Sequence, residues 1–178
     1  MFRYYYYILF LFFYINEIHA KAKETKITFN NIDNLNSIVN DNQVDTDELR
    51  LNFVEDHYGM ANLPISSIDI TVISNVTFIG SVNGTVFDYS NGKKGNFQLG
   101  FNKVGKSVKF ENIIFKNYNP IGQYNVYMIK INSEIETFQV IFNNCTFEDN
   151  IYPTIMYDLK SEGTVKNNTQ IILNNCKI

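Results

Sequence analysis

One short motif recurs four times along the chain, and its spacing restricts the folds that are possible. An asparagine stands near the start of each copy, and the four asparagines are 37, 32 and 31 residues apart. Repeats of roughly 20–50 residues are typical of solenoid proteins. Each repeat is too rich in strand-forming residues for a helical pair, so the sequence predicts a parallel β-helix. The four copies are Ser74-Asn75-Val76-Thr77-Phe78, Glu111-Asn112-Ile113-Ile114-Phe115, Asn143-Asn144-Cys145-Thr146-Phe147 and Asn174-Asn175-Cys176-Lys177-Ile178.

In the later copies two alternating strands meet at the asparagine, where the side-chain phase slips by one residue. Such a slip changes faces in a continuous strand, so we expect the chain to bend there, as at the corner of a coil. With neighbouring strands about 4.8 Å apart, stacked coils would place the asparagines in one ladder: Asn75, Asn112, Asn144 and Asn175. An apolar column is expected beside it, formed by Phe78, Phe115, Phe147 and Ile178. Burial is expected for Phe78, Phe110, Phe115, Phe142 and Phe147.

Residues 1–22 have the layout of a secretory signal peptide. A basic start at Arg3 precedes an apolar run from Tyr4 to Ile15, and Ala20-Lys21-Ala22 supplies a small-x-small cleavage site. A retained membrane anchor is the alternative, but about a dozen apolar residues run together where about 20 are needed to span a bilayer. The sequence therefore predicts a secreted, extracellular or cell-surface protein with no membrane span after signal removal.

Charge and length narrow the partners and the domain organisation. Signal removal would take away two basic residues and one acid, which changes the net charge from −3 to −4. This mild acidity argues against nucleic acid, whose binding requires clustered lysine and arginine. Residues 23–48 are predicted to be an N-terminal segment with a short capping helix over Asn30 to Asn40, and residues 49–178 to be β-helix coils that are incomplete at the C-terminus.

The segments Thr77-Phe78-Ile79-Gly80 and Thr85-Val86-Phe87-Asp88 resemble the opening turns of the pectate-lyase-like family of right-handed parallel β-helices. In that family a short amphipathic helix caps the first coil. The resemblance spans about Asn30 to Ile178 and implies an all-β, right-handed parallel β-helix with a capping helix at its N-terminal end.

The pectin-cleaving members place several carboxylates on neighbouring coils, to bind calcium or to act as an acid–base pair. At the equivalent positions this chain has Ile79-Gly80, Lys116-Asn117 and Glu148-Asp149. Only one coil supplies acids there, so no carboxylate stack is expected. Lys116 beside Glu148 is better explained as a surface ion pair.

Two other candidates for chemistry carry less weight. Gly100 to Ser107 matches the phosphate-loop pattern G-x-x-x-x-G-K-[ST], but that motif needs a helix after it. A β motif follows here, so a turn between coils is favoured. His57 is the one histidine outside the signal peptide, so histidine-rich metal sites are not expected and a Ser-His-Asp triad would depend on this residue alone. The sequence predicts no catalytic residue, no metal and no cofactor.

Cys145 and Cys176 occupy the same position in successive repeats. They are expected to point inward on adjacent coils, as a column of buried thiols. A disulfide is the alternative, since secretion favours oxidation. Parallel side chains would leave the Cβ atoms about 4.8 Å apart, however, which is beyond the usual range of about 3.5–4.5 Å.

Four N-glycosylation sequons begin at Asn75, Asn83, Asn144 and Asn167. Asn75 and Asn144 belong to the predicted ladder, so Asn83 and Asn167, which lie in predicted loops, are the expected acceptors. Tyrosines in or near the loops between strands are either sugar-stacking residues or strand filler. They are Tyr118, Tyr124, Tyr127, Tyr152 and Tyr157.

The function expected from these features is that of a secreted, non-catalytic β-helix. It would act as an extracellular structural, adhesion or scaffold element and bind polysaccharide or protein. The alternative is a polysaccharide lyase or hydrolase of the pectate-lyase-like family, or a fragment of one. Residues Ile171 to Ile178 are expected to leave an apolar strand edge unpaired, which favours end-to-end self-association.

Overall fold

A computed structural model describes residues 21–120, 126–151, 154–160 and 170–178. The chain forms a parallel β-solenoid of about five coils with three sheets. Sheet A, in spatial order, comprises β1 (Ala22–Ile27), β2 (Glu48–Phe53), β5 (Asn75–Ile79), β8 (Lys106–Glu111), β11 (Phe138–Asn143) and β14 (Ile171–Asn174). Sheet B comprises β3 (His57–Gly59), β6 (Thr85–Gly92), β9 (Ile113–Tyr118) and β12 (Thr146–Glu148). Sheet C comprises β4 (Ser67–Val72), β7 (Asn96–Phe101), β10 (Ile129–Ser133) and β13 (Ile155–Leu159).

All neighbouring strands pair in parallel, so equivalent residues of successive coils lie in register. Parallel pairing requires a crossover between neighbouring strands. Here the other two sides of the coil provide that crossover, since a strand of sheet A reaches its neighbour through sheets B and C. The parallel β-helix predicted from the repeat is therefore confirmed.

Stacked aromatic side chains fill the interior. In sheet A the rings of Phe78 and Phe110 have centroids 4.9 Å apart, and those of Phe110 and Phe142 are 5.2 Å apart, nearly parallel in both cases. In sheet B the rings of Phe115 and Phe147 stack at 5.1 Å. All five of these side chains are buried, as the sequence predicts.

A short helix takes the place of a sheet C strand in the first coil. It is α1 (Leu35–Asn42), which follows a 3-10 turn at Ile32–Asn34 and buries Leu35 and Val39 against the core. The capping helix predicted over residues 30–40 is confirmed and lies a few residues further along. The sequence predicts that the coils start at residue 49, but the first strand begins at Ala22. This strand, β1, pairs in parallel with β2 and is therefore part of the solenoid.

The polar side of α1 covers the edge of sheet C. The side-chain amide of Asn36 donates to Ser67 O and accepts from Asp69 N–H, and that of Asn40 donates to Asp69 O and accepts from Thr71 N–H. Gln43, one turn further along, donates to Thr71 O. An unpaired edge strand is a template for aggregation. Three amides spaced along one helix face thus satisfy the backbone groups of β4 in place of another strand.

One part of the predicted stacking is wrong. Asn75 begins β5, and its Oδ1 accepts hydrogen bonds from Ser107 N–H and Ser107 Oγ, each at 3.1 Å. The residue opposite Asn112 is Gly80, whose neighbour Ile79 pairs with Glu111. Asn75 therefore lies outside the asparagine ladder, and Phe78 stacks on Phe110 rather than on Phe115. The reason is that the first copy of the motif lies at the corner from sheet C to sheet A, whereas the later copies lie at the corner from sheet A to sheet B.

Candidate functional site

The corner between sheets A and B carries the asparagine ladder. Asn112, Asn144 and Asn175 all have left-handed backbones, with φ of 56°, 52° and 52°. Asparagine tolerates this region better than most residues. The Asn144 side chain donates to Asn112 Oδ1 at 3.4 Å. The left-handed residue produces the phase slip seen in the sequence, so the corner is where the pattern predicts it.

A second polar ladder follows the last outward position of sheet A. Asn174 Nδ2 donates to Asn143 Oδ1 at 2.9 Å, and Asn143 Nδ2 donates to Glu111 Oε1 at 3.4 Å. Lys109 forms an ion pair with Glu111 at 3.5 Å. These side chains are hydrogen bonded from coil to coil, so the outer face of sheet A is a flat surface of ordered polar groups.

The two cysteines lie at equivalent points of successive coils and are free thiols. Cys145 Sγ donates to Phe110 O and Cys176 Sγ donates to Phe142 O, each at 3.4 Å. Cys145 is buried, and burial raises the pKa of its thiol to about 12. A thiol that stays protonated is a poor nucleophile. The geometry gives these residues a packing role.

Sheet B carries a row of charged side chains on its outer face. Asp88, Lys116 and Glu148 lie in register on successive coils. Lys116 Nζ lies 3.6 Å from Glu148 Oε1 and 3.8 Å from Asp149 Oδ2. The predicted Lys116–Glu148 ion pair is confirmed.

Asp88 is the most constrained acid of this row. Burial by itself would raise the pKa of Asp88, but hydrogen bonds from Asn117 Nδ2 at 3.0 Å and Ser90 N–H at 2.7 Å lower it. His57 Nε2, 3.3 Å from Asp88 Oδ2, acts in the same direction. The net pKa of Asp88 is below its ordinary value. Asp88 is thus a partner of His57, and the sequence alone did not indicate this pair.

The phosphate-loop pattern is a turn between strands. Gly100 lies in β7, and Gly105 has a left-handed φ of 71° that ends the loop before β8. Lys106 and Ser107 begin β8, so they open a strand where a phosphate loop would open a helix. The turn predicted for this segment is confirmed.

The predicted surface residues fall into different environments. Asn83 lies exposed in the turn between β5 and β6, as an accessible sequon requires. Tyr118 is fully buried against Tyr89, with ring centroids 5.2 Å apart, and Tyr157 is partly buried against Phe138. Asn167, Tyr124 and Tyr152 lie outside the described residues.

Among the residues that the structure describes, two cavities lie on the outer face of sheet C. One, of about 300 Å³, lies where the strands begin, and its lining includes Tyr127, Gln98 and three lysines, Lys93, Lys94 and Lys130. The other, of about 210 Å³, lies near the strand ends between Thr71, Asn132 and Lys160. Sequence reasoning missed these residues because they come from segments about 30 residues apart. The pair Lys93-Lys94 before Gly95 was the one local sign.

Two further features bear on the type of site. In the described part of the chain, no helix is long and apolar enough to cross a membrane. The same residues contain no group of three histidine, cysteine or acidic side chains that could hold a metal ion.

Comparison with known proteins gives no relative from which a function could be transferred. No protein-family model matches the chain, and neither a curated protein nor a solved structure does. The interpretation of function therefore depends on the surfaces of the solenoid.

Proposed function

We propose that the chain is a secreted, non-catalytic β-solenoid that serves as an extracellular structural, adhesion or scaffold element. The observation that carries this proposal is the outer face of sheet A. Its six strands extend over about 24 Å at the usual strand spacing, and amide and carboxylate side chains link the coils along it. A flat surface of ordered polar groups suits contact with an extended polysaccharide or with another protein.

Secretion is the first part of this proposal to test. The full chain with a C-terminal tag, expressed in eukaryotic cells, is expected in the medium without its first 22 residues or so. The variant Leu11→Arg, which places a charge in the apolar run, is expected to stay in the cells. Wild-type protein that keeps residues 1–22 and stays in the cells would contradict the proposal.

Glycosylation at Asn83 is part of the same proposal. Its support is an exposed asparagine in a turn, within an Asn-Gly-Thr sequon. The secreted protein is expected to lose the mass of one glycan in the variant Asn83→Gln. An unchanged mass would show that this sequon is not used.

The competing proposal is a polysaccharide lyase or hydrolase related to the pectate-lyase-like family. The observation in its favour is the charged row of sheet B, with Asp88, Glu148 and Asp149 on one side of the solenoid. Each of these acids lies next to a cationic or polar partner, which favours a structural role. Release of unsaturated products from pectin in the presence of calcium, followed by absorbance, would support the enzyme instead.

End-to-end self-association also belongs to the proposed function. Leu173 in β14 pairs in register with the core residue Phe142 and is 43 % exposed. An apolar side chain beside a strand edge favours pairing with another chain. Light scattering of the 178-residue chain is expected to show association that Leu173→Lys weakens, and a monomer at tens of micromolar would contradict this.

A further inference from the structure

The larger cavity of sheet C is rich in positive charge. Lys93 and Lys94 come from the turn between β6 and β7, and Lys130 comes from β10, where it lies in register with Gln98. Tyr127 lies in the lining beside them. Cationic groups from two successive coils thus converge on a space of about 300 Å³.

The acids of this face lie away from Lys94 and Lys130. Among the described residues that line the cavity, none is acidic. Asp69 lies in the same outward row, but two strands from Lys130, which is about 9.6 Å at the usual spacing. Its carboxylate already accepts a hydrogen bond from Ser67 Oγ at 3.0 Å. Asp158 of β13 lies on this face in register with Asn132, whereas the residue in register with Lys130 is Met156.

The two cavities are parts of one surface. Gln98 lines the larger cavity, and Gly100, two residues further along β7, lines the smaller one. Two residues along a strand correspond to about 6.6 Å. Gly100 has no side chain, and it lies between Thr71 and Asn132 on the neighbouring strands. The missing side chain leaves a depression between the two cavities, and its far end is lined by both Lys160 and the acidic Glu134. The end with Lys94 and Lys130 is therefore the part of the surface that suits an anionic group.

We propose that this outer face of sheet C binds an acidic oligosaccharide. Lys94 and Lys130 bind a carboxylate or sulfate group, while Gln98, Asn132 and Thr71 bind sugar hydroxyls along the depression. Tyr127 offers a ring for stacking on a sugar face. The inference rests on the proposed extracellular binding function and names its ligand class and its site.

An acidic peptide would satisfy the lysines equally well, but the rest of the surface favours a sugar. Amide and hydroxyl side chains both donate and accept, as sugar hydroxyls do. The strands of this face pair with one another, and α1 covers the β4 edge. A peptide would therefore find no open backbone along the β4 side of this sheet to extend.

The test measures binding by isothermal titration calorimetry with the purified mature chain. The probes are a hyaluronan oligosaccharide for carboxylates, dextran sulfate for sulfates, neutral dextran as the uncharged match, and poly-glutamate as the acidic peptide. Binding of at least one of the two charged sugars is expected, with neutral dextran inactive. The two charged probes identify which anion the site prefers.

Two variants locate the site. Lys94→Gln combined with Lys130→Gln is expected to weaken binding roughly tenfold or more, since each charge-assisted hydrogen bond contributes about that factor. The control, Lys116→Gln combined with Lys177→Gln, makes the same charge change on sheet B and is expected to alter affinity less than about twofold. Gly100→Asn fills the depression without changing charge and is expected to weaken sugar binding. A Cβ at residue 100 would meet only Ile70 O at 3.6 Å, so this variant should fold.

Three outcomes would overturn the inference. They are equal losses in the two double-lysine variants, tighter binding of poly-glutamate than of either charged sugar, and no effect of Gly100→Asn on sugar binding. A chain that is secreted but binds no charged sugar refutes this inference alone. A chain that is retained in cells refutes the proposed function, while the binding experiment in vitro still reports on the site.

Discussion

Replacing Phe110 by alanine removes the central ring of the solenoid core. Phe110 is fully buried, and its ring contacts Phe78 at 4.9 Å, Phe142 at 5.2 Å and Phe97 at 5.3 Å between centroids. Truncation of a buried phenylalanine costs about 3–5 kcal/mol, through lost transfer free energy and the cavity left behind. Because rings on both neighbouring coils are held by backbone pairing, the site cannot collapse freely. We expect a loss near the upper end, about 4–5 kcal/mol.

Urea unfolding followed by far-UV circular dichroism measures this loss from the shift in midpoint at constant slope. The matched control is Phe29→Ala, since Phe29 is 61 % exposed and contacts Tyr58 at 5.6 Å between ring centroids. The control is expected to lose less than about 1 kcal/mol. A loss below about 1 kcal/mol for Phe110→Ala, or equal losses in the two variants, would refute the stacking of Phe78, Phe110 and Phe142.

Three further predictions concern the corners, the charged row and the thiols. Asn112 has a left-handed backbone, so Asn112→Ala should lower the free energy of unfolding by about 1–2 kcal/mol. Asn112→Gly should lower it less, because glycine adopts this conformation freely. Equal losses for the two variants in urea titrations would contradict this. Folding lowers the pKa of Asp88, so the ionised carboxylate stabilises the folded protein above about pH 4. This stabilisation is lost as the pH falls through the pKa that Asp88 has in the folded state. Unfolding titrations at several pH values should therefore show a smaller acid loss in Asp88→Asn than in the wild type, and identical profiles would count against the hydrogen bonds to Asp88. At pH 8 a thiol reagent should label the half-buried Cys176 faster than the buried Cys145, and equal labelling rates measured by mass spectrometry would show that Cys145 is accessible.

The corners of the solenoid could be predicted from the sequence because they depend on local backbone chemistry. A left-handed residue reverses the side-chain phase, and asparagine is one of the few residues that adopt this conformation readily. Asn112, Asn144 and Asn175 combine both signals. The alternating residues on either side then determine which side chains enter the core, as Phe110 and Phe115 illustrate.

The error at Asn75 shows where local reasoning fails. The residues around Asn75 resemble the later motifs, but the spacing to Asn112 is 37 residues, against 32 from Gly80 to Asn112. Gly80, rather than Asn75, occupies the corner equivalent to Asn112. A side chain is excluded at this position, since a Cβ there would lie 2.3 Å from Asn112 O. Such backbone contacts set the register between coils. The regular spacing of about 32 residues therefore predicts this register better than the similarity of the motif around Asn75 does.

The sheet C face could not be predicted from local motifs. Lys94 and Lys130 are 36 residues apart in the sequence, and only the in-register pairing of β7 with β10 brings their segments together. A glycine in a strand, such as Gly100, commonly marks a close approach or a gap. At Gly100 the neighbouring side chains, Thr71 and Asn132, come from two other coils, so the sequence around Gly100 does not show that a gap lies there.

The register between coils is the central claim, and nuclear Overhauser effects between phenylalanine rings test it most directly. With selectively labelled phenylalanines, we predict contacts from Phe78 to Phe110 and from Phe110 to Phe142, whose ring centroids lie 4.9 and 5.2 Å apart. These contacts join residues that are 32 positions apart in the sequence. Contacts from Phe78 to Phe115 without any to Phe110 would place Asn75 on Asn112 and contradict the account.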